Sequence, residues 1–99
     1  MKRPGPPAAM SGPQFMLRVR ELSAASANVF VTSHARTRMR QRGITLVEVL
    51  AVLRSGRVVE APAPDMRGNW KATMSRVVAG REIGVAVAIE AGIVVITVF

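Results

Sequence analysis

The sequence has no cysteine and only one histidine, His34. The lack of thiols excludes a disulfide framework, a thiolate zinc site and a cysteine nucleophile. A single histidine also argues against a metal site built from protein side chains. Glycine-rich nucleotide-binding motifs are absent too, so we expect neither a metal nor a cofactor. The six acidic residues are scattered along the chain, which argues against the paired carboxylates of two-metal nucleases and of glycosidases.

Long hydrophobic runs are also scarce. The chain starts with MKRPGPP, which is basic and lacks the apolar core of a signal peptide. The longest apolar run covers residues 83–99, but Glu90 interrupts it. Its β-branched residues favour a pair of strands joined at Ala91 and Gly92 over a membrane span. We therefore predict a cytoplasmic protein that has no contact with a membrane.

Positive charge is in clear excess, since 14 basic residues stand against 6 acidic ones and give a net charge of +8. Arginine supplies twelve of the basic residues, and its guanidinium group suits bidentate contacts with phosphate. Such an excess favours an acidic partner, which can be a nucleic acid, an acidic protein or an anionic membrane surface. The base composition of the genome is an alternative explanation for a chain rich in arginine and alanine.

Residues 1–13 differ in composition from the rest of the chain, because they hold four of the six prolines. We predict that they form a disordered tail and that residues 14–99 form one domain. Apolar residues spaced by three and four, beginning with Phe15, predict a first helix over residues 14–27. The apolar segment 29–32 that follows has the composition of a short edge strand.

The next stretch, HARTRMRQRGI at positions 34–44, contains four arginines and no acidic residue. It predicts a second helix that is capped by Ser33 and closed by Gly43. At 100° per residue, Ala35 and Met39 form a narrow apolar stripe that can pack against the rest of the domain.

The basic residues of this helix fall into two sets beside that stripe. One set forms a row on a single face, and the other set lies on the far side of the stripe, where we expect solvent. The row consists of His34, Arg38 and Arg42, and the solvent-facing pair is Arg36 and Arg40. Of the basic residues on this helix, only the three in this row are therefore candidates for a functional role.

A third helix and a set of strands complete the pattern. Thr45 and Glu48 have the spacing of a capping box that starts the helix, and Gly56 ends it. Alternating or β-branched segments then predict strands over residues 57–61, 70–78, 83–90 and 93–99, with a loop over 62–68. We predict an α+β fold in which the N-terminal helices pack on one face of an antiparallel four-stranded meander. The large residues of the strands should face the helices, and the small residues that alternate with them over 83–90 should leave a shallow face. Over residues 70–78, the alternation places Lys71, Thr73 and Ser75 on the polar side.

Several of these segments resemble a family of small bacterial proteins of unknown function that is placed near the RelE-like and BrnT-like toxins. The resemblance runs from about residue 29 to residue 99. Its most specific element is His-Ala-x-x-Arg-Met-x-x-Arg-Gly-Ile, which begins at His34 and precedes Gly-Asn-Trp-Lys and a terminal Ile-Thr-Val. It implies a RelE-like fold, of the compact kind shared with barnase-like and colicin-type ribonucleases.

The resemblance also implies a function and a site. The function is that of a metal-independent ribonuclease toxin, which cleaves RNA and is neutralised by an antitoxin protein of acidic or DNA-binding character. The implied catalytic residues are His34, Arg38, Lys71 and Thr97. The implied contacts to the RNA backbone are Arg42, Arg76 and Arg81.

These residue types suit metal-free RNA cleavage. That reaction needs a group that takes the proton of the ribose 2′-OH, a group that protonates the leaving oxygen, and cations that stabilise the phosphorane. Histidine is the side chain whose ordinary pKa suits proton transfer near neutral pH. Arg38 lies one helical turn from His34, while Lys71 is expected on the polar face of a central strand and Thr97 can donate a hydrogen bond from the last strand.

Structural and functional alternatives remain open. His34 can be a capping or core residue, and Arg38 and Arg42 can bond to backbone carbonyls or to Glu48. Trp70 is better explained as a core or rim anchor than as a stacking platform. At the level of function, the alternatives are a non-catalytic module that binds nucleic acid through its basic face and a protein-interaction module.

Overall fold

A computed structural model describes residues 10–99, and the first nine residues of the predicted tail lie outside the described part. Within it the chain forms three α-helices and five strands. The helices are α1 (Gly12–Ser23), α2 (Ser33–Arg42) and α3 (Leu46–Ser55), and a single 3₁₀ turn (Ser26–Asn28) follows α1. The strands are β1 (Val29–Val31), β2 (Arg57–Pro64), β3 (Trp70–Val78), β4 (Arg81–Ile89) and β5 (Ile93–Val98).

The strands form one mixed sheet in the order β1-β5-β4-β3-β2. Strands β2 to β5 are antiparallel to their neighbours, but β1 runs parallel to β5, with Val29 opposite Ile93 and Val31 opposite Val95. The α+β class is confirmed, whereas the prediction of a four-stranded, wholly antiparallel sheet was wrong. The short edge strand predicted over residues 29–32 is confirmed as β1, at the edge of the sheet. Its sequence did not indicate that it pairs with β5 or that the pairing is parallel.

Helix α1 begins two residues before the predicted start. Ser11 caps it, because its hydroxyl accepts from the N–H of Gln14 at 3.1 Å and the Gln14 side chain accepts from the N–H of Ser11 at 2.9 Å. Pro13 lies in the first turn, where its missing N–H has no helical partner to lose. Residues 11–13 therefore belong to α1 and its cap.

Helix α3 follows the prediction closely. The Thr45 hydroxyl accepts from the N–H of Glu48 at 3.2 Å, and the Glu48 carboxylate accepts from the N–H of Thr45 at 2.8 Å. The helix ends at Ser55 with Gly56 as its C-cap. Val52 and Leu53 are fully buried, so the apolar face of α3 forms part of the core.

The helices meet the sheet through one cluster of buried side chains. The strands contribute every second residue to it, such as Met74 on β3 and Val85 and Val87 on β4. Small residues, Gly84 and Ala86, alternate with them on the opposite face of β4. The large residues therefore face the helices, as predicted, and the other face of the sheet is shallow and partly open.

Two strand boundaries differ from the prediction. Strand β2 continues through Pro62 to Pro64, because it is the outermost strand and its prolines do not interrupt a ladder on both sides. Strand β4 begins at Arg81, so the turn before it is shorter than expected. Of the helices in the described part, none is long and apolar enough to span a membrane.

Candidate nucleic-acid interface

The start of α2 is fixed to the sheet by one side chain. Thr32, rather than the predicted Ser33, is the N-cap, and its hydroxyl accepts from the N–H of Ala35 at 3.0 Å. The same hydroxyl donates to the carbonyl of Ile96 on β5 at 3.1 Å, and the N–H of Thr32 donates to the carbonyl of Val95. Because Thr32 serves both the helix and β5, the first turn of α2 is held against the last strand.

The body of α2 packs through the predicted stripe. Ala35 is fully buried, and Met39 is half-buried against the core. The helix ends at Arg42, and Gly43 adopts the left-handed conformation that closes it, as predicted.

The basic side chains of α2 have no acidic partner. In residues 10–99 the only ion pairs within 4.0 Å are Arg18–Glu21 and Arg81–Glu48. Four of the basic side chains are exposed, namely His34, Arg36, Arg40 and Arg42, while Arg38 is half-buried. The helix therefore presents positive charge that this chain leaves uncompensated, which suits a polyanion.

Burial distinguishes Arg38, but not His34 or Arg42, from the solvent-facing pair on α2. Arg38 is the least exposed of the four arginines, whereas Arg40 on the far side only reaches Thr37, at 3.4 Å. Among the hydrogen bonds of the described residues, none involves the side chains of His34, Arg38 or Arg42. Among the described residues, neither Arg38 nor Arg42 therefore makes the alternative structural contact with a backbone carbonyl or with Glu48.

Arg81 occupies that structural role instead. Its guanidinium donates to the carbonyls of Arg42 and Gly43, each at 2.9 Å, and contacts the Glu48 carboxylate at 3.3 Å. It thus satisfies carbonyls that the end of α2 leaves free and joins them to the first turn of α3. The family resemblance implied a contact between Arg81 and the RNA backbone, and it did not predict this bridge within the protein.

The bridge is reflected in the pKa of Glu48, which is lowered. The largest cause is the hydrogen bond from the N–H of Thr45; the Thr45 hydroxyl and Arg81 lower it further, against the opposing effect of partial burial. A carboxylate whose pKa is lower in the folded state stabilises the fold above its unfolded pKa, about 4.3. That contribution is lost as the pH falls through the folded value.

We therefore expect a pH-dependent effect of Glu48→Gln. Urea unfolding at about pH 7 should show the variant to be less stable than the parent, and the gap should close as the pH falls through the folded pKa of Glu48, because both side chains are then neutral. Glu21→Gln is the control, because that residue pairs with Arg18 only in an exposed contact at 3.5 Å. A gap for Glu48→Gln that stays constant over this range would contradict the role assigned to the carboxylate.

Two of the predicted catalytic residues lie elsewhere, in a cavity on the face of the sheet that points away from the helices. This outer groove has a volume of about 470 Å³, and Lys71 and Thr97 both line it. Other polar or aromatic groups in its wall are Glu60, Thr73 and Phe99. The residues that line the outer groove include none of α2, so His34 and Arg38 do not share a cavity with Lys71 and Thr97.

The two parts are nevertheless adjacent through β5. Ile96 lines the outer groove, and its carbonyl accepts the hydrogen bond from Thr32 that anchors the first turn of α2. The irregular register between β4 and β5 falls at this point, since Ala86 pairs with Thr97 and Val87 with Val95. The N-terminal end of α2 is thus fastened to the strand that forms one side of the outer groove.

The other arginine predicted to bind the RNA backbone lies apart from both. Arg76 donates to the Ser55 hydroxyl at 2.6 Å, near the C-terminal end of α3. With Arg57 it lines a separate cleft of about 330 Å³. In the part of the chain that the structure describes, no three histidine or acidic side chains are grouped closely enough to hold a metal ion.

Comparison with known proteins adds one finding. A family model for a domain of unknown function, DUF4258, matches residues 31–99. The chain belongs to this family. The DUF4258 match includes α2, α3 and strands β2 to β5, and therefore the basic helix and the outer groove, but it leaves out α1. No curated protein and no solved structure gave a significant match.

The structure places two further residues beside Lys71 and Thr97 that the sequence did not indicate as functional. Glu60 and Thr73 line the outer groove beside Lys71 and Thr97 and are hydrogen-bonded to each other at 2.6 Å. The alternation of β3 did place Thr73 on the polar face with Lys71. Glu60 could not be placed in the same way, because β2 pairs with β3 through two register shifts on either side of it.

Proposed function

We propose that this DUF4258 domain is an RNA-binding, metal-independent endoribonuclease that acts as the toxin of a toxin–antitoxin pair. The observation that carries the proposal is the uncompensated positive charge of α2, which includes the only histidine. An antitoxin protein with an acidic segment is the partner that would mask this helix. The RelE-like and BrnT-like relationship is part of the same proposal and rests on the sequence resemblance.

The spacing on α2 supports chemistry at a phosphate. His34 and Arg38 are four residues apart, so they lie about 6 Å apart along the helix axis and on neighbouring parts of its surface. A phosphodiester bound by Arg38 would lie beside the imidazole. In cleavage, the ribose 2′-OH gives its proton to a base, the 2′ oxygen attacks phosphorus, and the 5′ oxygen leaves with a proton from an acid.

We assign one of those proton transfers to His34. Arg38 and Arg42 would stabilise the charge that develops on the phosphate oxygens. Lys71 and Thr97 would hold the RNA on the far side of β5, where the outer groove begins. The substrate strand would therefore cross from the start of α2 to the open face of the sheet.

The test is RNA cleavage by the purified protein in the presence of EDTA. We expect His34→Ala to lower the cleavage rate by about a hundredfold or more, because a positioned general acid or base contributes about 10² to 10⁴. Arg38→Ala should also lose most activity. Arg40→Ala is the matched control, since Arg40 has the same charge on the solvent-facing side of the same helix.

Circular dichroism and thermal unfolding must show that each variant remains folded. Full activity in both His34→Ala and Arg38→Ala would overturn the catalytic site. Expression in a bacterium gives a second readout, because the parent should arrest growth and His34→Ala should not.

A second candidate is a non-catalytic RNA-binding module. It is favoured by the placement of His34 and Lys71 in different parts of the surface and by the lack of a hydrogen-bonded partner for His34 in residues 10–99. In that case RNA binding should weaken steeply with salt, because each neutralised phosphate releases counterions. No cleavage should occur, and His34→Ala should leave binding nearly unchanged.

A further inference from the structure

We propose that the outer groove is a site for one unstacked nucleobase of a single-stranded RNA, distinct from the phosphate contacts of α2. The inference rests on the proposed RNA binding and adds to it a position where the base itself is recognised. It uses three residues that the sequence did not single out as functional, which are Glu60, Thr73 and Phe99.

The wall of the outer groove contains an aromatic ring in a defined position. The backbone of Phe99 exchanges two hydrogen bonds with Gly84, and the ring lies over that glycine, since a Cβ at Gly84 would be 3.1 Å from Phe99 Cδ2. The Phe99 side chain is 48% exposed, although the strand beside it contributes fully buried residues to the core. An aromatic ring that is held by the sheet but open to solvent is a platform on which a base can stack.

The floor of the outer groove is formed by a small residue, Ala86, with a threonine hydroxyl on either side. Thr73 on β3 and Thr97 on β5 both pair with Ala86 on the strand between them. Their side chains therefore lie on the same face, one strand to either side of a methyl group. This arrangement leaves room for a flat ligand above Ala86 and places a hydroxyl at each of its edges.

A carboxylate faces the same space. The Thr73 hydroxyl donates to Glu60 Oε1 at 2.6 Å, which fixes the carboxylate and leaves its remaining lone pairs free to accept. Adenine, cytosine and guanine each carry an exocyclic amino group that can donate to such an acceptor, whereas uracil offers only its N3–H, which lies between two carbonyl oxygens that a carboxylate repels. The outer groove should therefore prefer the three amino-bearing bases over uracil.

Positive charge lies at the edge of the outer groove. Lys71 is exposed and lines both this cavity and a neighbouring one of about 250 Å³, and Ile96 is also common to both. The ammonium group can therefore contact a phosphate next to a base that is stacked on Phe99. A single base with its phosphate uses the ring, the carboxylate and the ammonium group together, which favours RNA over an apolar protein segment.

The experiment compares two RNA strands that differ only in whether they carry bases. Short 2′-O-methyl oligonucleotides, which cannot be cleaved through the 2′ oxygen, are titrated with the full chain, and an abasic strand of equal length supplies the same phosphates. We expect the parent to bind the strand with bases at least about tenfold more tightly, because stacking of one base is worth about that much.

Two variants test the ring and the carboxylate separately. Phe99→Ala should remove most of the preference for the strand with bases, and Phe99→Leu, which keeps the apolar contact with Gly84, should do the same. Glu60→Gln should weaken the preference for adenine, cytosine and guanine over uracil, because the amide keeps only one acceptor oxygen and carries no charge. Its matched control is Glu82→Gln, because Glu82 accepts from Ser75 at 2.9 Å on the same sheet but lies outside the outer groove.

The outcomes separate this inference from the proposed function. Equal binding of both strands with steep salt dependence would leave RNA binding in place and overturn the base site. Failure of both strands to bind would overturn the proposed function and the inference that rests on it. A weaker base preference in Glu82→Gln as well as in Glu60→Gln would also overturn the assignment, because the effect would not be specific to the outer groove.

Discussion

Phe15→Ala is expected to lower the free energy of unfolding by about 3–5 kcal/mol, which is the usual cost of truncating a large buried aromatic residue. Phe15 is fully buried and belongs to the cluster that joins the helices to the sheet. Domains of this size are stable by only about 5–15 kcal/mol, so the variant should lose a large part of its stability. Urea or thermal unfolding followed by circular dichroism measures the change.

The matched control lies on the same helix. Leu17 is 61% exposed, and Leu17→Ala should change the free energy of unfolding by no more than about 0.5 kcal/mol. A similar small effect of Phe15→Ala would show that α1 is dispensable. Because the DUF4258 match begins at residue 31, the larger effect would show that the stable domain extends beyond the segment that defines the family.

Gly56→Ala is expected to destabilise the protein by about 1–3 kcal/mol, the range for forcing an extra carbon into a packed site. A Cβ at this position would lie 2.5 Å from the carbonyl oxygen of Val52 and 2.8 Å from that of Ser75. Both atoms belong to the backbone of regular elements, so neither can move as a side-chain tip would. The effect should be near the upper end of the range, measured as a shift in the urea midpoint.

Gly12→Ala provides the contrast for Gly56. A Cβ at Gly12 would make only ordinary contacts, 3.6 Å from Val58, and the residue lies in the first turn of α1. That substitution should be neutral or stabilise the protein by up to about 1 kcal/mol. If Gly56→Ala changed the free energy of unfolding as little as Gly12→Ala, that result would contradict the close approach of Gly56 to the backbones of α3 and β3.

Local signals predicted most of the elements. The capping box at Thr45 and the glycine after Ser55 defined α3, because both depend on backbone groups within one turn. The alternation on β3 and β4 predicted which residues face the helices, since side chains on a strand point to opposite sides in turn. The start of α1 was not predicted because Ser11 lies among prolines and glycines, a composition typical of a disordered tail.

The non-local features could not be predicted in the same way. The parallel pairing of β1 with β5, the bridge made by Arg81 and the contact between Glu60 and Thr73 all join residues that are distant in the sequence. The helical period was enough to place His34, Arg38 and Arg42 in one row. It could not show that Lys71 and Thr97 belong to a different cavity, because that depends on how the helix meets the sheet.

The bond between Thr32 and Ile96 has a consequence for the order of folding. It joins residues 64 positions apart, and the parallel pairing of β1 with β5 spans the same distance. Contacts of such long range form slowly. The intervening chain loses conformational entropy when its ends come together, before the contacts contribute any stabilisation. We expect the hairpins of β2 to β5 to form early, whereas the basic helix reaches its final position only when β5 is in place. An incompletely folded chain would therefore have its charged helix without the geometry that the proposed activity requires.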